Sequence, residues 1–295
     1  MRFGGRRTSD NVESQSGGGF GFGGGGGGGG AMLLGLVFSR FGIGGVVVLL
    51  AVMFFLGGNP LGLMDGGQSG APSAGVEARG GTACSADPAR RFPCQVLAST
   101  EDRWTELLRG QGSTYAPPTL VFYPGSGVSA CGAADSAMGP FYCPADRRIY
   151  LDTSFFDELS RRYGAPGDFA QAYVVAHEVG HHVQTLTGIE ERVRNAQSGA
   201  SEAQSNAIQV RMELQADCYA GVWASREQSA MEPGDLEEGM RAAAAIGDDT
   251  LQRATQGRVV PESFTHGSSA QRQEALMRGY RGGTAQACAG YTQGI

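Results

Sequence analysis

The chain has 295 residues, 49 of them glycine, and a formal net charge of −6. The charge is modest and no basic cluster or aromatic-basic interleaving occurs, which excludes nucleic acid as the expected partner. The first eighty or so residues are too rich in glycine and too poor in side chains to build a core, so the rest, roughly 210 residues, is expected to form one globular domain.

Residues 1–30 read as a disordered tail, because Gly17 leads into an almost unbroken glycine run to Gly30. Residues 31–64 read as a membrane anchor with its core at 41–58, a charge-free stretch that would span about 27 Å as a helix. A buried core helix is the weaker alternative, since nothing local would cover it. A cleaved signal peptide is also disfavoured, because forty residues precede the span and no A-x-A-like site follows. Arg2, Arg6, Arg7 and Arg40 precede the span and Asp65 is the first charge after it. That asymmetry predicts a single-pass cell-membrane protein with a cytoplasmic N-terminus and a catalytic domain in the periplasm or outside the cell. Residues 65–83 are expected to be a flexible linker and residues 84–295 the folded domain.

All six cysteines follow the span, which suits an oxidising compartment, and no CxxC spacing suggests a cysteine metal cluster. Of the fifteen connectivities that six cysteines allow, we prefer the local pairs Cys84 to Cys94 and Cys131 to Cys143, leaving Cys218 to Cys288. Free buried thiols are the alternative.

Within the domain, Trp104–Leu108 reads as helix, and 119–123 and 147–152 as strands. Ile149–Asp152 is expected at the sheet edge, where an extended substrate chain would pair with it. Pro166-Gly-Asp168 opens a helix that Gly188 closes. Inside it lies His177-Glu-Val-Gly-His181. Two histidines four apart share one helix face, where they can hold one metal ion, and Glu178 follows the first of them as a candidate base. Small or apolar residues from Ala172 to Gly180 surround them, as in a core helix.

A second helix is predicted from about 201 to 226, where Ile208, Met212, Ala216, Tyr219, Ala220 and Trp223 recur at helical spacing. It carries Glu213-Leu-Gln-Ala-Asp217. Glu213 is the expected third ligand. Asp217, flanked by Ala216, Cys218 and Tyr219, is expected to accept a hydrogen bond from a ligand histidine, with His177 preferred. The bland alternative makes both carboxylates solvated charges. His182 points off the metal face. Further helices are expected at 235–245, 248–254 and 268–281. His266, just before the last of these, is a candidate donor to an oxyanion, with Arg272 a weaker one.

These motifs resemble the Glu-zincin metallopeptidases, and more closely the bacterial membrane-anchored neutral zinc metallopeptidases. The blocks that carry the likeness are Gly139-Pro-Phe-Tyr-Cys-Pro-Ala-Asp146, Ile149-Tyr-Leu-Asp152, HExxHH, Glu-x-x-Ala-Asp and Phe264-Thr-His-Gly-Ser-Ser-Ala-Gln-Arg272. The resemblance implies Zn2+ held by His177, His181 and Glu213, with Glu178 as general base and a protein or peptide as substrate. Met212 stands where thermolysin-like enzymes have Asn, so the partner of His181 is left unassigned. The expected fold is α+β and mostly helical, a zincin-like domain with a small sheet behind one transmembrane helix. The expected function is a membrane-anchored zinc endopeptidase. A catalytically silent zinc-binding envelope protein is the runner-up, and a structural protein with a coincidental motif the least favoured.

Overall fold

The structure, a computed structural model, describes residues 1–16 and 75–295. In chain order its elements are β1 (Val12–Gln15), β2 (Val76–Arg79), α1 (Gly80–Ser85), α2 (Pro88–Arg109), β3 (Thr119–Phe122), β4 (Ser126–Ser129), β5 (Gly132–Asp135), β6 (Phe141–Cys143) and β7 (Arg148–Leu151). The remainder is helical: α3 (Ser154–Arg161), α4 (Asp168–Leu186), α5 (Ile189–Gln197), α6 (Glu202–Ser225), α7 (Asp235–Ala245), α8 (Asp248–Gln256), α9 (Ser269–Gly282) and α10 (Ala289–Thr292). The described domain is thus α+β and mostly helical, as expected.

A five-stranded sheet runs in the order β2-β1-β3-β7-β6, with β4 and β5 forming a separate hairpin. The three inner strands are parallel, and both edge strands run antiparallel to their neighbours. Alternation along each strand explains what the sheet covers. Leu120, Phe122, Ile149 and Leu151 join the main core with the helices. Val121, Tyr123, Tyr150 and Cys143 pack on the other face with Ala134 of the hairpin.

Helices α4 and α6 cross at the centre. Gly180 permits their approach: a Cβ there would lie 2.9 Å from the Ala216 carbonyl oxygen and 3.0 Å from its Cα. Gly279 does the same for α9 against α6, where a Cβ would run into the Cys218 carbonyl. The disulfides are Cys84–Cys94, Cys131–Cys143 and Cys218–Cys288, the preferred pairing, and no cysteine is free. The last ties α6 to the C-terminal segment.

The N-terminal segment departs most from expectation. Residues 1–16 are not a disordered tail but part of the core. Met1 and Phe3 are buried, and β1 lies inside the sheet between β2 and β3. The Met1 amine lies 2.6 Å from Asp168 and 3.0 Å from Asp235. Arg6 pairs with Glu227, and Arg7 with Glu101 and Asp102. These arginines, read from sequence as topology signals, are structural ion-pair partners. Residues 17–30 lie outside the described residues. The domain also begins before Cys84, since β2 and α1 occupy residues 76–83 of the stretch expected to be linker, of which residues 65–74 lie outside the described residues.

The expected anchor, residues 31–64 with its core at 41–58, lies outside the described residues, and among those no helix is long and apolar enough to cross a membrane. The predicted topology fails on a second ground. Strands β1 and β2 pair antiparallel, and the Ser16 amide donates to the Gly75 carbonyl at 3.4 Å. The chain therefore leaves the domain and rejoins it at one place, whereas a single crossing would put residues 1–16 and the domain on opposite sides. The single-pass anchor, the membrane as partner, the cytoplasmic N-terminus and the periplasmic or extracellular domain are accordingly withdrawn. The expected edge strand is corrected too: 148–151 is internal, flanked by β3 and β6, and the edge is Phe141–Cys143.

Candidate metal centre

Helix α4 presents His177 and His181 one turn apart, and α6 presents Glu213 opposite them. His177 Nε2 and His181 Nε2 lie 3.3 and 3.4 Å from Glu213 Oε2. The three donor atoms fall within 4.8 Å of one another. Zinc bonds of about 2.0–2.2 Å in a tetrahedron separate neighbouring donors by roughly 3.3 Å, so this set fits the ion in kind and in spacing. His177 and Glu213 are buried, and the His181 side chain is 12% exposed.

Each imidazole is oriented through its other nitrogen. His177 Nδ1 donates to Asp217 Oδ1 at 2.7 Å. Asp217 is fully buried and also accepts from Tyr173 Oη at 2.5 Å and twice from Arg272 at 2.9 Å. His181 Nδ1 lies 2.9 Å from Gln184 Oε1, whose amide nitrogen donates to the Met212 carbonyl and to Gln215 Oε1. Gln184 is thus the partner of His181 that sequence reasoning left unassigned. Tyr173, four before His177, and Gln184, three after His181, were both signalled by helical spacing alone. Glu213 keeps one oxygen for the histidines and accepts from Gln209 with the other at 2.9 Å.

The electrostatics follow from this packing. Burial disfavours charge on His177, but the Asp217 carboxylate and then Glu213 outweigh it and raise its pKa to about 10. Burial likewise opposes ionisation of Asp217, yet Arg272 and His177 hold it down at about 2. Burial raises the Glu178 carboxyl above its ordinary value, with the two histidines pulling the other way. Such opposed shifts on adjacent groups are common where protons are to be moved.

A cleft of about 750 Å³ opens over this centre. It is lined by His177, Glu178, His181 and Glu213, by residues 139–142 of the edge strand and its approach, and by His266. His266 is half-exposed and reaches the cleft on a loop that Asp248 holds. Asp248 Oδ2 accepts from the amides of Thr265, His266 and Gly267 at 2.8, 2.6 and 2.9 Å, and its Oδ1 lies 3.3 Å from His266 Nδ1. Arg272 is nearly buried and bonded to Asp217 rather than free to reach substrate. His182 is off the metal group, as expected.

The chain matches over residues 1–291 the family described as "Putative neutral zinc metallopeptidase". It is 47% identical over 295 residues to the uncharacterized protein YpfJ of Escherichia coli K12, covering 98% of each chain. It is 43% identical over 219 residues to the uncharacterized protein Mb2605 of Mycobacterium bovis and to Rv2575 of Mycobacterium tuberculosis H37Rv, covering 69% of this chain and 72% of each of those. No solved structure matches. With its His-Glu-x-x-His metal site and a family match spanning nearly its whole length, the chain belongs to this family of zinc metallopeptidases.

Proposed function

We propose that the protein is a zinc-dependent endopeptidase in which His177, His181 and Glu213 hold the ion. The carrying observation is the convergence of two imidazole nitrogens and one carboxylate oxygen at tetrahedral spacing, each histidine fixed from behind. Zinc at such a site supplies a Lewis acid that polarises the scissile carbonyl and acidifies water.

The chain's own residues do the rest. Glu178, buried beside the ligands, takes a proton from the attacking water and returns it to the leaving amine, and its raised pKa suits both directions. His266, reaching the cleft from the far loop, donates to the oxygen that gains charge as the carbonyl is attacked. Asp217 keeps the proton of His177 on Nδ1 and so leaves Nε2 free to bind the ion. An extended substrate chain lies along the free edge of β6, which forms one wall of the cleft.

The test is zinc stoichiometry by elemental analysis, on wild type beside Glu213→Gln and His181→Ala, followed by peptide hydrolysis with Glu178→Gln as the inactive control. One zinc per chain, lost or much weakened in both ligand variants, is the expected outcome. Folded wild type that takes up no added zinc sinks the reading.

A further inference from the structure

Resting on that proposal of a substrate strand at the β6 edge, we infer that His182 is a positioning residue that fixes this edge strand to the metal helix through Tyr142. His182 follows ligand His181 directly but turns away from the ion, and it is fully buried. Its Nε2 lies 2.6 Å from the Ala116 carbonyl oxygen. A carbonyl only accepts, so Nε2 carries the hydrogen. In the tautomer with that hydrogen on Nε2, Nδ1 is an acceptor. Tyr142 Oη, 3.1 Å away, donates to it. The ring also sits edge-on between Tyr115 and Tyr142.

Tyr142 is the middle residue of β6, opposite Ile149 of β7, and it lines the cleft. Strand β6 is three residues long and, among the described residues, its only sheet neighbour is β7. Its ladder sets its direction and register, while Cys143 ties its end to Cys131 beside the β4–β5 hairpin. Neither of these contacts fixes its distance from the ion. The link from Tyr142 to His182 does, because His182 is one residue from a ligand on the same rigid helix. Consecutive histidines therefore divide two tasks: His181 faces the metal, and His182 sets where the substrate strand must lie relative to it.

The experiment uses the full-length, zinc-loaded chain and two probes. Acetohydroxamate needs the metal alone. An acetylated Ala-Ala-Leu hydroxamate needs the metal and a strand edge, and its apolar side chains suit a cleft walled by Phe141, Phe155 and Met212. Affinities are read by calorimetry. Wild type is expected to prefer the peptide probe, and Tyr142→Phe and His182→Ala should each cut that preference about tenfold, the loss of one oriented hydrogen bond. Zinc content and acetohydroxamate affinity should hold in both. His182→Gln, whose amide can donate to Ala116 and accept from Tyr142, should restore most of the preference. A merely structural role for His182 would move both probes together and would not be rescued by Gln. The inference is overturned if wild type shows no preference for the peptide probe, or if Tyr142→Phe keeps it in full. If His182→Ala does not fold, Tyr142→Phe still decides. Failure of zinc-loaded wild type to bind acetohydroxamate would instead overturn the peptidase reading beneath it.

Discussion

Two histidines of this molecule each lean on an aspartate through Nδ1, and the two pairs are built differently. His177 and Asp217 are both buried, 2.7 Å apart, and the carboxylate is gripped by Tyr173 and Arg272 as well. His266 is half-exposed and 3.3 Å from Asp248, whose nearer bonds go to three backbone amides. In the first pair the aspartate fixes a ring. In the second it fixes a loop and leaves the ring room to adjust. A metal ligand gains from the first arrangement, since any tilt moves the donor atom, whereas a group that meets charge appearing during a reaction gains from the second.

The largest effect should come from breaking the buried pair. Asp217→Ala would leave Arg272 as an unpaired buried cation, costing roughly 3–5 kcal/mol of stability. It should also weaken zinc about 10–100-fold by freeing His177. Thermal unfolding and competitive zinc titration would check both, and intact zinc affinity would mean that Asp217 is only packing. His266→Ala should behave in the opposite way. With zinc content unchanged and stability within about 0.5 kcal/mol of wild type, turnover of a peptide should fall about 100-fold. Asp248→Asn, which keeps an acceptor but loses the charge, should produce a smaller fall in turnover of about tenfold without touching the metal.

A pH signature of the buried pair is also expected in the metal-free protein. The pKa of Asp217 is depressed to about 2 from an ordinary 3.8, so its contribution is present above the ordinary value and lost as pH falls from about 4 towards 2. The pKa of His177 is raised from 6.5 to about 10, so its contribution is present below about 6.5 and lost as pH rises towards 10. Denaturant unfolding across that range should show both flanks in wild type and flatter ones in Asp217→Asn. Equal flanks in the two proteins would place the pH dependence elsewhere.

What was legible in the sequence was whatever a helix keeps within one turn. His177, Glu178 and His181 declare themselves by spacing, and Glu213 with Asp217 repeats the device on the second helix, so the metal group needed only the two helices to meet. Gln184 and Tyr173 were equally local but carried no motif to draw attention to them. The sheet was harder, because its order depends on pairings between distant segments. Phe141-Tyr-Cys143 is too short, between Pro140 and Pro144, to announce a strand, so the sequence points to Ile149–Asp152 as the edge, a place that β6 holds instead. The N-terminal segment was least legible. Its glycine-rich continuation suggests no structure, and the acidic partners of Arg6 and Arg7 stand 94 to 221 positions away, where no local pattern could reveal them.

The position of β1 also constrains how the molecule assembles in time. Its four residues are hydrogen-bonded on one side to residues 76–79 and on the other to residues 120–122. The amine eleven positions before β1 finds its partners at 168 and 235. Closing such long loops carries an entropy that only completed distant surfaces can offset, which slows the step. During synthesis, β1 therefore waits, with its slot in the sheet unfilled, until residues 120–122 have been made.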